Sequence, residues 1–191
     1  MAERITLAYA EAGGAALAGA LTASSAGTRA VVGHPIEPSA GLVLRGLGGN
    51  AAGFVAHQLV ADDINRADLV LTMTRRHRDK VLQLDPRVMA RTFTLREAAA
   101  LLKAVGGDAF TADPDLASRA RHLGATLFQR RAARIVHLDR QRDDIPDPIG
   151  ASLDKFQRVG DAIAESLIPI LGALAGDTVK PGGSVPAPTG Q

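Results

Sequence analysis

The chain has 191 residues, with 22 Lys and Arg against 20 Asp and Glu, and its formal net charge of +2 is too small a field to imply a polyanionic partner. Apolar residues make up 46% of it, a globular composition, and one domain of this length can bury roughly 70% of the surface its unfolded chain exposes. Cysteine is absent, which excludes disulfides, thiolate metal sites, iron–sulfur clusters and every cysteine nucleophile.

Met1 to Ala12 places Met1, Ile5, Ala8, Tyr9 and Ala12 at helical spacing before Gly13-Gly14 interrupts it, and no capping residue precedes this helix. The glutamate and arginine at positions 3 and 4, followed by a weak apolar stretch, do not make a secretory signal, so a cytoplasmic protein is expected. Leu21 to Ser25, bounded by glycine and by the turn Ala26-Gly27-Thr28, reads as a strand entering a loop. Pro38 suits a first helical turn, with Leu42, Val43 and Leu47 following before Gly48-Gly49 closes the helix. Val60 to Ala67 reads as a short helix. Asp68 to Thr74 (DLVLTMT) is a nearly continuous apolar run, as in a strand covered on both faces, and is expected near the centre of a sheet.

Arg75 to Leu84 predicts a basic helix stopped by Asp85-Pro86, and Val88 to Leu95 a strand feeding a helix over Arg96 to Lys103. Asp113 to Leu138 predicts an Arg-rich helix, and Asp143 to Gly150 a loop with prolines. Leu153 to Leu174, with Phe156, Val159, Ile163, Leu167 and Ile170 in helical register, predicts a final helix packing onto the sheet. Its most apolar part, Ile163 to Leu174, falls short of the ~18 residues a membrane span needs and is broken by Glu165, Ser166 and Pro169. Strands alternating with helices imply an α/β protein, a parallel sheet with helices on both faces and a ligand site beyond the carboxyl ends of the strands. The expected organisation is one domain over 1–174 and a flexible Gly/Pro-rich tail over 175–191.

Several clusters invite a chemical reading. Asp143-Asp144-Ile145-Pro146-Asp147-Pro148 gathers three carboxylates between prolines, a rigid way to hold an acid over a substrate, although Asp-Pro pairs are also ordinary turn makers. Arg75-Arg76-His77-Arg78 could grip phosphate, but a solvated helix face accounts for it, and no aromatic residues interleave for base stacking. His34, His57, His77, His122 and His137 are scattered and lack metal-ligand spacing, so neither a metal nor a cofactor is expected. Ser24 to Thr28 could offer hydroxyls and amides to an anion or simply end a strand. The residues alone leave the function open.

Ser25-Ala26-Gly27-Thr28, Asp68 to Thr74 with its Arg-rich helix, Thr92 to Glu97, and Asp144 to Gly150 occur together in one order. In this the chain, from Met1 to about Leu174, resembles the bacterial low-molecular-weight protein-tyrosine phosphatases. The resemblance implies a flavodoxin-like three-layer α/β fold with sheet order 2-1-3-4. In that family an apolar strand and a Cys-x-x-x-x-x-Arg-Ser phosphate loop lead into Pro-x-Ala-Glu, and Met1-Ala2-Glu3 matches the x-Ala-Glu. The first central strand, the nucleophile and the loop arginine are therefore expected to be missing. A gap in mid-sheet should weaken or rearrange the core, since buried backbone groups without partners cost roughly 1–3 kcal/mol each.

By the same resemblance Asp147 matches the general acid, and Ser25 the serine that supports the phosphate loop. Ile149 stands where many relatives carry an aromatic residue that clasps a phenyl ring, and His57 where arginine is common. The implied activity of the intact family is hydrolysis of phosphotyrosine or aryl phosphate monoesters through a phospho-cysteine. Its substrates would be a phosphotyrosine protein or a small aryl phosphate, with neither nucleic acid nor a membrane as partner. As it stands the chain is expected to be inactive, either because an internal methionine has been taken as the start or because it is a pseudophosphatase or a non-functional truncation. Arsenate reduction, performed by some relatives of this fold, needs several cysteines and ranks last.

Overall fold

The protein is described by a computed structural model covering residues 1–110, 113, 115–133 and 143–176. Eight α-helices and two short strands make up these residues. The first half holds α1 (Ala2–Ala12), α2 (Ala15–Ala20), α3 (Pro38–Gly46) and α4 (Ala61–Asn65). Then come β1 (Val70–Thr72), α5 (Arg75–Leu84), a 3-10 turn (Pro86–Arg91), β2 (Thr92–Thr94) and α6 (Leu95–Val105). A second 3-10 turn (Gly107–Phe110), α7 (Leu116–Ala132) and α8 (Leu153–Ala175) complete it.

Local chemistry sets many of these boundaries. Thr74 caps α5 by accepting from the His77 N–H at 3.1 Å, and Asp115 caps α7 by accepting from Ser118 at 2.8 Å. Thr94 and Glu97 form a reciprocal capping box at the start of α6, each accepting the other's backbone N–H at 3.2 Å. Glu37 accepts from Ala40 at 2.7 Å and Pro38 opens α3, as a first-turn proline should. No helix among the described residues is long and apolar enough to cross a membrane.

The expected three-layer α/β architecture is not what forms. Among the described residues the sheet is a single parallel pair of three-residue strands, with Val70 opposite Thr92, Leu71 opposite Phe93 and Thr72 opposite Thr94. The predicted strand Leu21 to Ser25 makes no ladder; nearby, Gly27 forms one isolated parallel bridge with Gln58. The physical reason is that a strand is a pairing: among the described residues no neighbouring strand runs beside Leu21 to Ser25 to complete a ladder. The predicted strand Val88 to Leu95 shrinks to Thr92–Thr94, because Asp85 accepts from the Arg87 N–H at 2.9 Å and starts a 3-10 turn instead. The predicted helix Asp113 to Leu138 is α7 where described; 134–140 lie outside the described residues, as do 177–191 of the expected tail.

The core is correspondingly helical. Instead of lying on a sheet, α8 packs against α6, α3, α1 and α7. Its Val159, Ile163, Leu167, Ile170 and Leu174 join Leu95, Leu101 and Leu102 of α6, Leu123 and Leu127 of α7, Phe93 of β2, and Ile5 and Leu44 from α1 and α3 in one cluster. A small second cluster, Ile64, Val81 and Val88, seals α4 and α5 against the 3-10 turn. Gly160 is where α8 meets α3: a Cβ there would lie 2.5 Å from Val43 Cγ1, so only glycine allows the approach. The carboxyl end of β1 emerges on the side where the loop before α8 arrives, and that placement frames the site.

Candidate functional site

The acidic loop is fastened to the end of β1 by two hydrogen bonds. Ile145, 2% exposed, donates its N–H to the Met73 carbonyl at 2.8 Å. Asp144 Oδ1 accepts from the Arg75 N–H at 2.8 Å and lies 3.6 Å from Arg75 Nε. A carboxylate at the first residue of α5 is favoured by the helix dipole as well as by the free N–H. Asp144 thus acts as a second cap beside Thr74.

Asp143, also buried, has no ion-pair partner among the described residues. Burial pushes its carboxyl up from the ordinary range, the Glu97 charge adds to this, and Arg75 and Arg78 oppose it. Asp147 differs from both. It is exposed, and its Oδ1 accepts from the Ile149 N–H at 3.0 Å, an Asx-type turn through Pro148. Ala151 then donates to the Pro148 carbonyl at 2.9 Å, and Gly150 takes the positive φ of 78° that closes the turn. Ile149 at the tip is 71% exposed.

Ser25 lies outside this loop. Its hydroxyl donates to Glu3 Oε2 at 2.7 Å, tying residues 21–26 to the first turn of α1. Glu3 Oε1 is in turn 3.2 Å from Arg4 Nε, and the Arg4 guanidinium stands 5.7 Å from the Phe54 ring centroid. No hydrogen bond or ion pair among the described residues links Asp147 or Ile149 to Ser25 or Glu3. Beside Ser25 the structure therefore places a carboxylate, which repels a phosphoryl group. His57 Nε2 lies 3.6 Å from Asp63 Oδ2, so it is engaged with the first turn of α4.

Of the basic run on α5, Arg78 turns inward while Arg76 is exposed. Arg78 Nη1 donates to Glu97 Oε2 at 3.1 Å, and Arg131 of α7 reaches the same carboxylate, with Nε 2.8 Å from Oε1 and Nη2 3.1 Å from Oε2. Arg131 also donates to the Thr92 carbonyl at 2.8 Å and stacks 4.1 Å from the centroid of Phe93. Glu97, with only 3% of its side chain exposed, is the shared anion of a cluster joining α5, α6 and α7 behind β2. Sequence reasoning missed this cluster and the Glu3 partner of Ser25. The Thr94-x-x-Glu97 capping pattern could have flagged Glu97 as fixed in place, but its arginine partners come from 19 and 34 residues away.

Comparison with known proteins agrees with the resemblance. The profile of the low molecular weight phosphotyrosine protein phosphatase family matches residues 1–121. A probable low molecular weight protein-tyrosine-phosphatase, AmsI of Erwinia amylovora, is 36% identical over 69 residues, a match taking in 36% of this chain and 48% of that protein. The chain thus matches about half the length of that curated relative. The crystal structure of the Erwinia tyrosine phosphatase superposes with a TM-score of 0.59 at 22% identity, covering 90% of this chain and 82% of the other. A low molecular weight protein tyrosine phosphatase from T. tengcongensis gives 0.60 at 22% identity, covering 88% and 86%. At these identities the structures speak for the path of the chain, which follows these enzymes even where the sheet has been reduced to two strands. With the profile spanning well over half of its residues and no cysteine anywhere in it, the chain belongs to the low molecular weight phosphotyrosine protein phosphatase family as a member without the catalytic thiol.

Proposed function

We propose that the chain, as it stands, does not hydrolyse phosphate esters and serves as a pseudophosphatase. The observation that carries this reading is the complete absence of cysteine. Phosphoryl transfer to an enzyme thiolate needs that sulfur, with a pKa lowered by a helix N-terminus and nearby amides, and cations or amides around the equatorial oxygens. Here the Ser25 hydroxyl is hydrogen-bonded to Glu3, whose charge opposes both its deprotonation and the approach of phosphate. Asp147 has the exposure a general acid requires, since its carboxyl reaches solvent and could hand a proton to a departing phenolate. Without a nucleophile that proton has no bond cleavage to assist.

The test is release of nitrophenolate from p-nitrophenyl phosphate by the purified 191-residue protein. The expected rate equals that of buffer, and Asp147→Asn should leave it there. Turnover that Asp147→Asn abolishes would overturn the proposal. A second reading, resting on the family resemblance, assigns activity to a polypeptide that carries a Cys-x-x-x-x-x-Arg-Ser segment. In that polypeptide Asp147→Asn should lower the rate by roughly 10²–10⁴, the usual worth of a positioned acid.

A further inference from the structure

A notch of about 450 Å³ opens between the start of α6, the first turns of α8 and the acidic loop. Its lining divides cleanly. Ile145, Pro146, Val159 and Ala162 make its apolar part, while Arg96, Lys155 and Arg158 are its cations, and no carboxylate lines it among the described residues. That volume falls within the range of small-molecule sites, and an apolar body with a few polar groups is how such sites are built.

Two of the cations sit where a helix by itself disfavours them. Arg96 is the second residue of α6 and Lys155 the third of α8, each in the first turn, at the positive end of the helix dipole. Lys155 has no ion-pair partner among the described residues. Arg158 pairs with Asp154 across one helical turn, but both side chains are more than two-thirds exposed, so water screens the pair and an incoming anion can compete for the guanidinium.

The notch is distinct from the surroundings of Ser25 and Glu3. Lys155, Arg158, Val159 and Ala162 occupy one stripe of α8, at three- and four-residue spacing. Gly160 lies on the adjoining stripe, the one that meets Val43, Leu47 and Met1.

We propose that this notch binds a small organic anion, with a carboxylate or phosphate head held by Lys155 and Arg158 and an aryl or branched aliphatic body on Ile145, Val159 and Ala162. Pro146 links the site to Asp147, so an occupant would lie against the acidic loop. The inference stands whether or not the chain turns over phosphate esters.

The test is an NMR titration of the 191-residue protein with phenyl phosphate, benzoate and inorganic phosphate. Saturable shifts of the Ile145 and Ala162 methyl groups are expected with an organic anion, and a response to benzoate or to phenyl phosphate alone identifies a carboxylate or a phosphate-ester head. Inorganic phosphate, lacking the body, should bind about tenfold more weakly or worse. Lys155 and Arg158 are exposed, so the K155E/R158E protein should keep its circular dichroism spectrum and lose affinity by about tenfold or more. Ala162→Leu should weaken the aryl anions by filling the apolar part. Absence of saturation, affinity unchanged in K155E/R158E, equal binding of inorganic phosphate, or shifts confined to Ser25 and Glu3 would each overturn the proposal.

Discussion

The region from β1 to α8 and the region before it draw on similar residues and hold together differently. In the later region Phe93, Leu95, Leu101, Leu123, Leu127 and Ile170 are fully buried, and the Glu97 carboxylate binds two arginines. The earlier region is joined to itself across residues 27–34 and 56–59 by a handful of backbone hydrogen bonds: Gly27 to His57, Leu59 to Gly27, Gly33 to Ala56 and Ala56 to His34. Its Val31, Val32 and Val55 are 60–63% exposed. Valine favours strands because it packs on a half-buried pleated surface, and where that surface is missing the residue type alone produces no strand. Order here follows from available neighbours more than from local propensity.

If the later region is the stable half, its removal sites should dominate unfolding. Glu97→Ala strands Arg78 and Arg131 and opens the capping box, with an expected loss of about 3–5 kcal/mol in urea unfolding. An effect under about 1 kcal/mol would show the cluster to be ornamental. Next in size, Ile170→Ala should cost about 2–5 kcal/mol, while Val31→Ala on the open side should stay within about 0.5 kcal/mol. Equal effects for these two would erase the distinction between the regions. Ser25→Ala removes the half-exposed hydrogen bond to Glu3 and should cost about 1 kcal/mol, accompanied by faster amide exchange in the first turn of α1.

The last expectation is read as a shape against pH. Hydrogen bonds from Arg87 hold the Asp85 carboxyl down at about 2, below its ordinary 3.8. A lowered folded-state value means the unfolded chain binds the proton more readily, so this contribution is present above about pH 3.8 and is lost as the pH falls through about 2. Asp143, shifted upward, has the opposite sign. Its contribution is present below the ordinary carboxyl range and is lost as the pH rises through its folded value. Asp85→Asn should flatten the acid limb of the melting temperature, and Asp143→Asn should raise the melting temperature at neutral pH relative to the parent. Parallel curves for all three proteins would contradict both assignments.

Elements whose stabilising partners are local were legible in the sequence. α5 begins at Arg75 and ends at Leu84 as its pattern and the following Asp-Pro predict, and α8 begins at Leu153 and keeps its apolar register through Leu174. The acidic loop was legible for the same reason, since prolines set its backbone. Leu21 to Ser25 was not, because a strand is a pairing and no ladder forms beside it among the described residues. α2, all Ala, Leu and Gly, was passed over for want of any polar face to give it a period. Among the residues matched through the family resemblance, the exposure of Asp147 and Ile149 follows from their turn. The Glu3 partner of Ser25 is 22 positions away and carries no local signal.

The fastening of Asp144 and Ile145 at the end of β1 has a mechanical consequence. Asp147 stands only two residues beyond its anchor, with proline on either side fixing φ near −65°. So short and stiff a lever cannot sweep like a flap over an incoming molecule; it behaves as a bracket, with its carboxylate held out at a nearly constant height. Any partner that engages Asp147 must come to it, and the rate of that encounter should depend on how the visitor diffuses and turns, with no contribution from loop closure.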